Sequence, residues 1–354
     1  MNFATLASLT LAVGLLSTQP STRSVPAIPV ETVKLAWKLK EGASYLVETS
    51  SSVSSKTVTM DQEQEEDQDN TTVHLVHVAD VTEEGNMLLK ITVNRFEMAK
   101  ESAMFDVELL GERDEEGKVT VDVVLTSDLP LLTGDDVQEL FEELVRGSMA
   151  VEFEMLLTPQ GEVIEASMEG DPLADLPGDT DLTKMISDTA RIMVGADDMT
   201  AMLASQFFSM LPETSPEVGG QWSVERSFAA AGLEMNGTGT CTLEELGEKG
   251  AVAHLTETLT YELDASGLSE KMIELMDLML GEMEMDVEAD LEGEGFESVS
   301  KIEFDVKEGF SRSMTWKEMA ARITGTITLG EMEMDMELDT LTSGSSKWSR
   351  VEEE

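Results

Sequence analysis

The sequence predicts a mainly β protein of the α+β type: curved antiparallel sheets, arranged as two quasi-repeated β units, with amphipathic helices packed against them. Three observations predict it. Apolar and polar residues alternate with period two over much of the chain. The alternating runs end at turn signals such as "EEGN" and "DEEG". Three- and four-residue apolar spacing is confined to three stretches.

Taken in order, residues 1–27 read as a signal peptide. The apolar run from Phe3 to Leu16 carries no charge, falls short of the ~20 residues that span a bilayer, and leads to small residues around Val25, Pro26 and Ala27. Residues 28–170 form the first β-rich half. "TVKLAWKLK" (32–40), "TTVHLVHV" (71–78), "MLLKITVNRF" (87–96) and "KVTVDVVL" (118–125) are its expected strands. The wholly polar "DQEQEEDQD" (61–69) is expected as a loop, and "DDVQELFEELVRG" (135–147) as a short helix. Residues 171–218 are expected to be helical, with Leu182, Met185, Ile186, Met193, Met202, Leu203 and Phe207 on one face of a segment from Asp181 to Leu211. Residues 219–342 form the second β-rich half with a helix at Ser269 to Leu280, and 343–354 read as a polar, acidic tail. The duplication is suggested by "VTEEGNMLLKITVNRF" (81–96) and "LGEKGAVAHLTETLTY" (246–261), which match in turn position and strand length.

Composition restricts function before any motif does. Asp and Glu number 72 against 23 Lys and Arg, a formal charge of −49 that repels nucleic acid and anionic membrane surfaces. Nucleic-acid binding is excluded on that ground, and the acidity itself reads as a solvated coat suited to a salty medium. No later stretch is long and apolar enough for a transmembrane helix. The single cysteine, Cys241, has no intrachain partner and sits in strand-like sequence, where it reads as a small core residue.

Glutamate and methionine alternate twice, in "GEMEMDVEADL" (281–291) and "GEMEMDMELDTL" (330–341). On a strand the methionines share one face and the carboxylates the other, whereas on a helix no apolar stripe would form. Met283, Met285, Met332, Met334 and Met336 are therefore expected to face inward, either as ordinary core or as the lining of an apolar ligand site, since thioether chains adapt to irregular shapes. A Cu(I) site is the third alternative. Parity places His74 and His77 on opposite faces of one strand, so they do not chelate together. Asp179 and Asp181 read as helix-capping residues in preference to calcium ligands. No catalytic, metal or cofactor motif occurs, and the chain is expected to be non-enzymatic, with no cofactor.

"WKLKEGASY" (37–45), followed by long β segments and the later "GGQW" (219–222), resembles the opening of a family of secreted bacterial proteins without an assigned function. The resemblance implies an exported, β-rich protein without known catalytic residues. Two functions follow as expectations: an extracytoplasmic binder of an apolar small molecule or lipid, or a structural or adhesive envelope protein whose acidic surface gathers cations.

Overall fold

The computed structural model describes residues 32–351 except 60, 61, 104, 115, 128–133, 175, 177–183, 185, 186, 190, 193–207, 209, 248, 249, 281–285 and 331. Its elements are β1 (Ser44–Thr59), β2 (Gln62–Val81), β3 (Met87–Ser102), β4 (Asp106–Arg113), β5 (Val119–Thr126), α1 (Asp135–Ala150), β6 (Glu152–Leu157), β7 (Val163–Glu169), β8 (Gln221–Ala230), β9 (Leu233–Gly247), β10 (Val252–Asp264), α2 (Ser266–Leu280), β11 (Val287–Glu294), β12 (Phe296–Asp305), β13 (Phe310–Leu329) and β14 (Met332–Arg350). All fourteen strands belong to one large open sheet, ordered β5-β4-β3-β2-β1-β14-β13-β12-β10-β9-β8, with β11 on β13 and the β6-β7 pair on β3. Every pairing is antiparallel. The mainly β class with packed helices is thus what the chain adopts. The signal segment lies outside the described residues, as does most of the expected helix at 181–211.

The first strand pairs with the last at a central seam, β1 with β14, from Tyr45 opposite Arg350 to Thr59 opposite Met336. The structure corrects three sequence expectations along this seam. Residues 62–69 are not a loop but the first part of β2, paired with β1 on one side and, from Glu66, with β3 on the other. Residues 343–350 are not a tail: they continue β14, and Trp348 is buried. Residues 33–40 form no ladder strand; Leu35, Trp37 and Leu39 are buried, but the backbone bonds go to separate loops, Trp37 N to Pro159 O and Lys38 N to Gly309 O. Trp37 nonetheless anchors the core. It stands edge-on to Phe208 and Phe304 at 5.0 and 5.5 Å, and Trp348 lies between it and Tyr45. Such aromatic pairs add about 0.5–1.5 kcal/mol each beyond their burial.

Among the described residues, two helices with assigned bounds cover parts of the inner face. α1 starts with Asp135 and Asp136, which favour the positive end of its dipole, and buries Val137, Phe141, Val145 and Met149 against Met98, Val107, Leu109 and Val123. Gly147 interrupts it at a cost of about 1 kcal/mol relative to alanine. The reason is contact: a Cβ there would lie 2.0 Å from the Pro172 carbonyl oxygen. α2 is tied to β11 by Ser269, whose hydroxyl donates to Ala265 O and accepts from Leu291 N at 3.0 Å. Its Met272, Leu275 and Met276 enter the main core cluster.

The acidic alternation resolves into layers. Met334, Met336 and Leu338 are buried on the inner face, while Glu333 and Asp335 are exposed on the outer one. β11 and β14 both pair with β13 and not with each other. Their carboxylates fall in register across it: Glu288, Thr328 and Glu333 in one line, Asp290, Thr326 and Asp335 in the next, Glu292, Thr324 and Glu337 in the third. An uncharged threonine ladder separates two acidic strands, which limits the repulsion that directly opposed carboxylates would suffer.

The layering predicts an asymmetry. Met334→Glu places an unpaired charge on the inner face and should cost at least ~3 kcal/mol, whereas Glu333→Lys should change stability by no more than about 0.5 kcal/mol, in the stabilising direction. Urea denaturation of the two variants measures it, and equal destabilisation would invert the assignment of faces.

Candidate functional site

The register aligns inward side chains into rows that cross the sheet. One row runs from Met98 through Asn70, Ser51, Gly344, Trp316, Ser300, Glu257 and Cys241 to Trp222. The next holds Lys100, Gln68, Val53, Thr342 and Met319, and the one below it Ser102, Glu66, Ser55, Thr340 and Ala321. These rows form a polar seam in the interior. Glu66, Gln68, Lys100, Glu257, Ser300, Thr340 and Thr342 are all buried. Farther down the same face lie the methionine rows, Met336 with Gly325 and Leu291, then Met334 with Ile327 and Ala289.

Each end of the seam carries a buried ion pair. Lys100 Nζ stands 2.9 Å from Glu66 Oε2, with both side chains almost wholly excluded from solvent. Burial holds the Lys100 ammonium below its usual range, partly offset by Glu66. At the other end Arg226 and Glu257 form a two-point pair, Nε to Oε1 at 2.9 Å and the terminal nitrogen to Oε2 at 3.1 Å, while Arg226 also donates to Phe208 O. Cys241 neighbours Glu257, and burial, reinforced by that carboxylate, pushes its thiol upward, so it is no thiolate nucleophile at neutral pH. Burial likewise pushes the Tyr261 hydroxyl up to about 12.

Between the pairs are polar atoms with nothing to bond. Among the described residues Gln68 Oε1, Asn70 Nδ2, Trp316 Nε1 and Thr342 Oγ1 are buried without a hydrogen-bond partner. Gln68 and Asn70 do bond each other, Nε2 to Oδ1 at 2.9 Å, which leaves one acceptor and one donor over. Trp316 lies across Gly344, where a Cβ would be 2.6 Å from Trp316 Cζ2, so only glycine leaves room for the indole. An orphaned buried group costs about 1–3 kcal/mol, so four on one face each call for a physical reason.

Of the five methionines singled out by sequence, Met283 and Met285 lie outside the described residues. Met334 and Met336 share the inner face at 6% and 9% exposure. Met332 does not join them. It is 54% exposed, at the start of β14 opposite Leu329, in the last row of the ladder among the described residues. His74 is buried and His77 exposed, as parity requires, and His77 meets Ser44 Oγ at 3.2 Å. Asp179 and Asp181 lie outside the described residues. Among the described residues no three His, Cys, Asp or Glu side chains are grouped to hold a metal ion. A cleft of about 410 Å³ opens beside Ser54, Lys56, Glu65, Arg322, Asp339 and Leu341, but Arg322 is engaged there by Glu337 and Asp339. The seam escaped sequence analysis because Glu66 and Gln68 sit in a run without apolar residues. The one available signal was Lys100, which shares the parity of Met98.

Removing one partner of the Lys100–Glu66 pair strands a buried charge. Lys100→Met alone should cost about 3–5 kcal/mol, whereas Lys100→Met with Glu66→Leu should recover most of it, a coupling that a double-mutant cycle reads directly. His74 generates a pH dependence. Burial lowers its pKa to about 4 in the folded chain. Unfolding therefore takes up a proton below the ordinary value near 6.5, so stability is complete above ~6.5 and falls by ~3 kcal/mol as pH drops toward 4. Denaturation at pH 7 and pH 4.5 should show His74→Leu lacking that component of the wild-type loss.

Comparison with known proteins finds no matching family model and no matching curated protein. Among solved structures, a lipovitellin structure concerned with lipid–protein interactions aligns with a TM-score of 0.37 at 7% identity, covering 89% of this chain and 25% of that one. This chain thus spans about a quarter of the lipovitellin chain. OccK7 of Pseudomonas aeruginosa gives 0.20 at 8% identity, covering 88% and 100%. The translocator domain of the autotransporter NalP from Neisseria meningitidis gives 0.17 at 7%, covering 87% and 90%. Likenesses at these scores carry no assignment of fold or function.

Proposed function

We propose that the chain is an exported, non-enzymatic protein that holds an apolar or lipid-like molecule between its sheet and its helices. One observation carries the reading: methionines supply both layers of the interior. Met272 and Met276 of α2 share one buried cluster with Met235, Met319, Met334 and Met336 of the sheet. Valine and isoleucine suit strands better, and flexible thioethers in both layers suit an interior that must fit more than one shape. Export rests on the apolar leader with its small-residue cleavage region. The two hairpins that match in sequence, β2-β3 and β9-β10, stand on opposite sides of the β1-β14 seam, which supports reading the halves as two quasi-repeated units. The acidic outer rows of β11 and β14 favour a second reading, a cation-gathering structural or adhesive protein of the cell envelope.

Mass spectrometry of the protein purified without detergent from its own cells tests both parts. The expected result is a chain beginning near residue 28 that retains an apolar molecule extractable into organic solvent, and that binds diphenylhexatriene once emptied. A chain beginning at Met1 overturns export. Failure to carry or bind any apolar molecule, together with calcium-dependent self-association, favours the envelope reading.

A further inference from the structure

We infer that the polar seam is the head-group site for the molecule proposed above, and that the head group is neutral and bears both hydroxyl and carbonyl or ether oxygens. This rests on the binding reading and adds orientation and chemical class to it. Gln68 Oε1 offers an acceptor, Asn70 Nδ2 and Trp316 Nε1 offer donors, and the Thr342 hydroxyl is able to do either. All four atoms are buried on one face. Three of the side chains are at least nine-tenths buried: Gln68 at 5%, Thr342 at 1% and Trp316 at 9% exposure.

Their spread decides the class of guest. They sit on β2, β14 and β13, and β2 to β13 is three strand spacings, about 14 Å. A lone carboxyl offers two oxygens at one point, whereas a glycerol ester or a sugar offers several separate groups for side chains that converge from different strands. Charge decides the rest. The nearest buried cation, Lys100, already faces Glu66 at 2.9 Å, so an anionic head would meet the unbonded carbonyl oxygen of Gln68 with no cation to balance it. A neutral head with oxygens to accept from Asn70 and Trp316, and a hydroxyl to donate to Gln68, matches all three. Along β14, Met336 lies six residues from Thr342, about 20 Å at the rise of a strand. A long acyl chain running down that strand from the seam reaches the methionine rows.

The test is displacement of diphenylhexatriene from the full mature chain by monooleoylglycerol, octyl glucoside and oleate, in wild type and in Trp316→Phe with Thr342→Val. Monooleoylglycerol is expected to displace the probe about tenfold more tightly than oleate, and the double variant should erase that preference while leaving oleate unchanged. Displacement by octyl glucoside at concentrations below micelle formation identifies a glycoside head; displacement by the glyceride alone identifies a glyceride. Equal binding of oleate and monooleoylglycerol in wild type overturns the inference without needing a variant. So does a double variant that melts higher but keeps the preference, since the orphaned atoms then serve no guest. A chain that binds the probe without head-group preference leaves the apolar reading standing and removes this one; a chain that binds neither probe nor lipid removes both.

Discussion

The pairing of β1 with β14 is the constraint on which the rest of the molecule depends. It joins the strand that opens the described sheet sequence to the one that ends it, and it stands in the middle of the sheet instead of at an edge. Because side chains alternate with period two, a slip of one residue here would put Val47 and Val53 of β1 on the opposite face from Trp348, Met334 and Met336 of β14. The inward rows exist only because this register is kept. Burial of Trp37 against Trp348 holds it near the Arg350 end, and Thr57 opposite Leu338 marks the apolar pattern toward the other.

On that frame the interior is not uniformly apolar. One cluster gathers α1 with β3, β4 and β5, a larger one gathers α2 with most of the other strands, and the polar seam reaches from one to the other. The ion pairs close its two ends in different ways. Arg226 and Glu257 bond at two points, while Lys100 meets Glu66 at a single oxygen with both side chains almost wholly buried. What lies between them is unsatisfied: Gln68 Oε1, Asn70 Nδ2, Trp316 Nε1 and Thr342 Oγ1 are buried without a partner.

Much of this was legible in the chain itself. Alternation identified the sheet, turn signals located β2-β3 and β9-β10, and apolar spacing located α1 and α2. Alternation also separated Met334 and Met336 from their carboxylate neighbours. What it missed shares one physical origin. Residues 62–69 have no apolar member, so no local pattern marks them as a strand; they become one because β1 and β3 lie on either side and because Lys100, far along the chain, balances Glu66. Residues 343–350 look like a tail until Tyr45 and Trp37 supply the surface that buries Trp348. Residues 33–40 have a strand's composition and no strand's partner. In each case the deciding contact is distant in sequence, where local periodicity carries no information.

The threonines of β13 have a mechanical meaning as well. They hold two rows of carboxylates two strand spacings apart, about 9.6 Å, which is nearly the ~10 Å over which 0.1 M salt screens a charge. In brine the rows do not sense each other. In dilute water they repel each other across β13, less so in the third line, where Glu337 pairs with Arg322. Ionic strength thereby sets how strongly the two acidic rows repel each other across β13.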